Sequence, residues 1–265
     1  MFDCNIVFNN FADISHLKFE LIISDFKFYL MKEFGNEDYS DFLEEVNIYK
    51  KGSEEVREEY SGQYDKSQKS ISMYYIDDYD LMNKMIHHEI SHVMFNKNNN
   101  LSLSSTIEIL GYYFLDEFFA YSNSEGYFVN VIKNNKELLY ECINTMNERV
   151  NNSYRIIEMI KEHEEDFTNK VYNMKSKVNL KDINDEKLKE LEECEDKFLN
   201  PMLIKKIYYS ARATAYTYIL NEVLGKTNEA KNIIYKNIEY IKENINFNNI
   251  TKENCRVIIN NLGVV

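Results

Sequence analysis

One proline and seven glycines in 265 residues leave few places for a sharp turn, and that scarcity constrains the fold more than any other feature. A β-sandwich needs a turn about every 8–12 residues, built largely on those two residue types. Long stretches with helical apolar spacing and no breaker read instead as helices. The chain is 44% hydrophobic and 14% aromatic, so it has the material for a substantial core. The expectation is a predominantly helical α+β protein, in one large domain or two modest ones.

Strands are expected at Cys4–Phe8, Val46–Tyr49 and Ser70–Ile76, the last β-branched and aromatic. Ile14, Leu17, Leu21, Phe28 and Met31 recur at helical spacing between Asp13 and Phe34, and Gly35 closes that segment. Lys51–Lys69 reads as turns around a short helical piece. Asp77 and Asp78 can cap a helix over Tyr79–Asn96, and Ser105 with Glu108 forms a capping box for another over Thr106–Ser122. Further helices are expected over Val129–Lys175, Asn184–Phe198, Pro201–Leu224, Asn228–Ile245 and Lys252–Asn261. The division this suggests is a catalytic region over 1–126 and a helical extension over 127–265.

The first of those capped helices carries His88-Glu89-Ile90-Ser91-His92, an HExxH pattern. Histidines four apart share one helical face, so both imidazoles can reach one divalent ion. The carboxylate between them is placed to act as a base on a water held by that ion. His87 lies on another helical face and reads as an exposed bystander.

Two imidazoles do not complete such a site, because catalytic zinc typically takes three protein ligands and a water. The longer H-E-x-x-H-x-x-G-x-x-H pattern is absent, since Phe95 and Asn98 occupy its glycine and final histidine positions. Glu117 shares a helical stripe with Leu110, Tyr113, Phe114 and Tyr121, where a carboxylate is costly without a charged or metal partner. A salt bridge or a place at the rim would also satisfy it. Glu108 is occupied by the capping box and Glu125 follows the expected helix end. Asp116 faces another side and suits a role in orienting a metal-bound histidine.

These residues resemble the gluzincin metallopeptidases. His87-His88-Glu89-Ile90-Ser91-His92 on one helix and Asp116-Glu117-Phe118-Phe119-Ala120 on the next are similar to the compact ImmA/IrrE-like peptidases and minigluzincins. The Gly62-Gln63-Tyr64 turn and the tyrosine-rich strand after it fit the same pattern. The resemblance spans roughly residues 61–121. It implies a zincin-like catalytic region with a small sheet, one Zn2+ per chain, and hydrolysis of a peptide or protein substrate. It makes His88, His92 and Glu117 the metal ligands and Glu89 the general base. No helix-turn-helix is present, and the acidic helical C-terminal half has no counterpart in that pattern.

A further donor would be needed for developing oxyanion charge. Tyr208, Tyr209, Arg212 and Tyr216 cluster in sequence and are candidates, set against the reading that they are ordinary core or surface groups. A net charge of −13 argues against nucleic-acid partners and against anionic membranes. Cys4, Cys142, Cys194 and Cys255 are widely spaced and read as free thiols, which with the polar start points to the cytoplasm. The competing reading is a non-catalytic metallopeptidase-like scaffold that binds a protein through its helical C-terminal region. The sequence does not fix an oligomeric state.

Overall fold

The computed structural model describes residues 6–35, 38–53, 61–177, 185–225 and 232–263, of which 167–177, 185–200, 223, 232 and 233 are described as backbone alone. Helices dominate, accompanied by one small mixed sheet. The chain forms two compact units that interleave in sequence. The first comprises Met1–Leu103, Asp116–Tyr140 and Asn244–Lys252; the second comprises Ser104–Leu115, Glu141–Glu243 and Glu253–Val265. Residues on both sides of Gly126 therefore belong to the first unit.

In the first unit, β1 (Val7–Asn10), β2 (Glu45–Tyr49), β3 (Gly62–Asp65) and β4 (Ser70–Tyr74) form a sheet in the order β1-β2-β4-β3. β1, β2 and β4 run parallel, with Val46 opposite Phe8 and Ile71, while β3 pairs antiparallel to β4 along an edge. Parallel neighbours require a crossover, and α1 (His16–Phe34) supplies it between β1 and β2. β3 is not among the expected strands: its four residues, Gly-Gln-Tyr-Asp, carry too little apolar alternation to show as one, and pairing with β4 defines them.

α1 forms where expected but turns the opposite way. Ile22, Phe26, Tyr29, Leu30 and Phe34 face the core, whereas Leu17, Leu21, Phe28 and Met31 are exposed. The helix carries two apolar stripes, and periodicity alone does not say which one the sheet will bury. Val46, Ile48, Ile71 and Met73 on the strands and Met82, Ile86, Ile90 and Val93 on α2 (Tyr79–Asn98) complete this core.

α2 begins at Asp78, whose carboxylate accepts the Leu81 N–H at 3.0 Å. Such a cap contributes about 1 kcal/mol. Its far end is clamped by the returning segment 244–252. Asn99 donates to the Phe247 carbonyl at 2.7 Å and accepts the Ile250 N–H at 2.8 Å. The Phe247 ring stacks on Phe118 at 5.8 Å. Part of the C-terminal half thus completes the first unit.

α3 (Thr106–Ile132) runs ten residues past the expected end at Ser122, straight through Gly126, so Glu125 is inside it and pairs with Lys84 at 3.4 Å. α4 (Lys136–Lys177), α5 (Asp185–Tyr218), α6 (Asn232–Asn244) and α7 (Lys252–Leu262) follow, all but their terminal residues Lys136–Tyr140, Asn244 and Lys252 lying in the second unit. Pro201 lies inside α5 and not at the expected helix boundary, and a π-helical turn over Ile219–Val223 follows that helix. Cys142 and Cys255 form no disulfide; Cys4 and Cys194 fall outside the residues whose side chains are described. Among the described residues no helix is long and apolar enough to cross a membrane.

The capping box at the start of α3 forms with a variation. The Glu108 N–H donates to Ser105 Oγ at 3.3 Å, but the Glu108 carboxylate accepts from the Ser104 N–H at 2.8 Å. Fully buried, it also pairs with Arg256 of α7 at 2.5 Å. Close by, a Cβ on Gly111 would stand 2.1 Å from the Cys255 carbonyl oxygen. Alanine ordinarily stabilises a helix interior relative to glycine by about 1 kcal/mol. Here the obstacle is backbone, so Gly111→Ala is expected to destabilise by about 1–3 kcal/mol, read as a lower midpoint in thermal or urea unfolding.

Candidate metal centre

The helical spacing of the HExxH residues sets the geometry of the centre. His88 and His92 project from one face of α2, with their Nε2 atoms 3.2 Å apart. Glu117 reaches the same point from α3, its Oε2 lying 3.9 Å from His88 Nε2. One ligand atom from each of the three residues lies within 4.8 Å of the others, a grouping able to hold a metal ion. A tetrahedral ion with bonds of about 2.0–2.1 Å places two nitrogen ligands about 3.3 Å apart. The histidine pair already has that spacing, and the Glu117 oxygen stands slightly farther out, at 3.9 Å from His88 Nε2.

Each imidazole is held from behind, which frees its Nε2 for the centre. His92 Nδ1 lies 2.7 Å from Asp116 Oδ1, and Asn96 donates to the other carboxylate oxygen at 3.2 Å. Asn96 also donates to the His92 carbonyl at 2.9 Å, tying the carboxylate to the helix that carries His92. The Ala120 carbonyl hydrogen-bonds the His88 ring, and Tyr121 packs against that ring at 4.4 Å. Ligating histidines need such partners to fix their tautomer and orientation.

Glu89 is buried on the same helix. The Tyr64 N–H of β3 donates to its carboxylate, yet Oε2 has no hydrogen-bond partner. A buried carboxylate oxygen left in this state costs free energy unless something is brought to it. Burial pushes Glu89 up to about 7, against the pull of His92 and the Tyr64 N–H. Burial likewise drives His88 well below the ordinary histidine range, reinforced by His92. For His92 burial acts downward, but Asp116, Glu117 and Glu89 overcome it and raise the imidazole to about 10. The surrounding carboxylates therefore favour positive charge on the His92 ring itself.

The sequence does not show how closely β3 approaches this helix. A Cβ on Gly62 would lie 2.6 Å from Glu89 Oε1 and 3.0 Å from its Cγ. Only the turn-like Ser61-Gly62 pair hints at it. The expectation for His87 is corrected: it is fully buried, stacked on Tyr29 at 4.3 Å, with Nε2 2.9 Å from Glu33 Oε1. Burial lowers its affinity for a proton, with Glu33 opposing. Despite its own burial, Glu33 is held down at about 2 by hydrogen bonds from His87 and Lys32. His87 thus anchors α2 to α1 instead of facing solvent.

Tyr208, Tyr209, Arg212 and Tyr216 all lie on α5 in the second unit. There Tyr208 meets Tyr209 edge-on at 5.2 Å, and the Arg212 guanidinium lies 5.6 Å from the Tyr209 ring. Tyr216 is fully buried and accepts a hydrogen bond from Arg149. These contacts are packing and hydrogen bonding within that unit.

Comparison with protein-family models, curated proteins and solved structures finds no match to this chain.

Two substitutions probe the groups that hold His92 and Glu89 in place. Asp116→Asn keeps the size but removes the charge behind His92, and should weaken metal binding about 10–100-fold in a chelator competition. Gly62→Ala should lower thermal stability in the natural chain. It should do so far less beside Glu89→Ala, which removes the atoms the new methyl meets; equal losses in both backgrounds would show that the contact is not the cause.

Proposed function

We propose that the chain is a zinc-dependent metallopeptidase. The observation that supports this reading is the pairing of a three-ligand group, His88, His92 and Glu117, with a buried carboxylate whose second oxygen has no partner. A structural metal site needs its ligands but has no use for a base beside them. Two imidazoles and one carboxylate match the His2Glu set of catalytic zinc, which leaves one coordination position open. Bound there, the ion would polarise a scissile carbonyl and make its water acidic near neutral pH.

The chain's own side chains supply the rest. Asp116 and the Ala120 carbonyl keep both imidazoles turned toward the centre. Glu89 takes a proton from the attacking water and returns it to the departing amine, which requires a carboxyl with pKa near the working pH. Burial raises the Glu89 carboxyl, and a dication beside it would draw it back down, so the two act in opposite directions on the base. The Tyr64 N–H holds the carboxylate against β3 so that it need not be ordered during the reaction. The fold that results, a small mixed sheet packed on the motif helix, fits a zincin-like catalytic region.

The test is digestion of a peptide library by the zinc-loaded chain and by Glu89→Gln. The natural chain should cleave, and the variant should lose about 10²-fold or more of the rate while still holding one zinc. Undiminished cleavage by the variant removes Glu89 from its assigned role, and a zinc-loaded natural chain that cleaves nothing overturns the peptidase reading. Removing the metal with a chelator should abolish cleavage, and one equivalent of zinc should restore it.

A further inference from the structure

The outward face of α1 carries a stripe that no packing within the described residues explains. Leu17, Leu21, Phe28 and Met31 are 73, 50, 53 and 60% exposed, with the small, exposed Ser24 between them. Their spacing is four, three, four and three residues, the seam of a two-stranded coiled coil and not the broader stripe of a helix on a sheet. From Leu17 to Met31 the seam is about 21 Å long.

The flanking charges decide what fits it. With Leu21 and Phe28 as a positions and Leu17, Ser24 and Met31 as d positions, Lys18 and Asp25 fall at e, and Glu20 and Lys27 at g. If a second copy of the helix lies antiparallel, a and d residues form common layers: Leu17 faces Phe28, and Leu21 faces Ser24. In that register e meets e and g meets g across the seam. Lys18 then faces Asp25 and Glu20 faces Lys27, each twice by symmetry, and every one of the four pairs is opposite in sign. A parallel pairing would instead set Glu20 against Asp25 and Lys27 against Lys32, like against like. Ser24 leaves room for the facing Leu21 near the axis.

We propose that α1 is the interface of an antiparallel, two-fold symmetric homodimer of this chain. A surface complementary to itself under a two-fold operation gives a closed, isologous pair. The charges are already lightly engaged: Lys18 pairs with Asp77 at 2.5 Å, Tyr79 donates to Asp25 at 3.2 Å, and Glu20 lies 3.9 Å from His16. These exposed contacts can be kept or exchanged at little cost. One four-turn helix per partner offers less than the roughly 800 Å² a side of a standard interface, which places the dimer at a Kd on the order of 1–100 µM.

Sedimentation velocity of the full chain between about 1 and 200 µM should show a shift from one chain to two. Phe28→Glu, at an exposed position that leaves the core intact, should weaken association at least about tenfold. Glu20→Lys and Lys27→Glu each convert two attractive pairs into two repulsive ones, and should each weaken self-association about fivefold or more at low salt. An equimolar mixture of those two variants should regain dimer, because one chain then presents only lysine at positions 20 and 27 and the other only glutamate. A natural chain that stays monomeric across the range overturns the proposal. So does a dimer indifferent to Phe28→Glu, or one that the mixed variants fail to restore.

Discussion

Crowding two imidazoles and three carboxylates together, with His92, Glu89 and Glu117 buried and His88 and Asp116 nearly so, is the constraint around which the other features of this unit are arranged. His88, Glu89, His92, Asp116 and Glu117 sit at the meeting of α2 and α3, where solvent does little to screen them. Charged groups so placed are costly unless they neutralise one another or share a cation. The sheet, α1 and the returning segment at Phe247 hold the two helices in the positions that impose this crowding. His87 has a structural share in it, since its hydrogen bond to Glu33 and its stacking on Tyr29 set the rotation of α2, and with that the direction in which His88 and His92 point.

Much of the centre is legible in the sequence because its spacing is local. Residues four apart on a helix meet by geometry alone, and a carboxylate on an apolar stripe announces that it needs a partner. The second helix can be read from its capping box, although Glu108 uses the neighbouring serine amide and an arginine instead of the usual reciprocal bond. What cannot be read depends on contacts between distant segments. β3 exists because β4 offers it an edge, and its glycine matters because Glu89 lies on the far side. No local pattern in Gly62-Gln63-Tyr64 states either fact.

Helix ends and helix faces escape the sequence for related reasons. Gly126 and Pro201 read as punctuation, yet α3 and α5 run through both positions. Isolated breakers cost a helix about 1–3 kcal/mol, and packing along its length can outweigh that. α1 shows the same limit in another form. Its most regular apolar stripe lies outward, while the less regular set at Ile22, Phe26, Tyr29, Leu30 and Phe34 fills the core. Regular spacing at three and four is the mark of helix meeting helix, and it falls on the face that the sheet does not use.

In the proposed metallopeptidase, three side chains from α2 and α3 converge on one zinc with a position left for water. X-ray absorption at the zinc edge of the loaded chain tests it directly. The expected result is two imidazole nitrogens and carboxylate and water oxygens, all at about 2.0–2.2 Å, with the carboxylate contribution lost in Glu117→Ala. A sulfur shell near about 2.3 Å, or a spectrum that Glu117→Ala leaves unchanged, would contradict it.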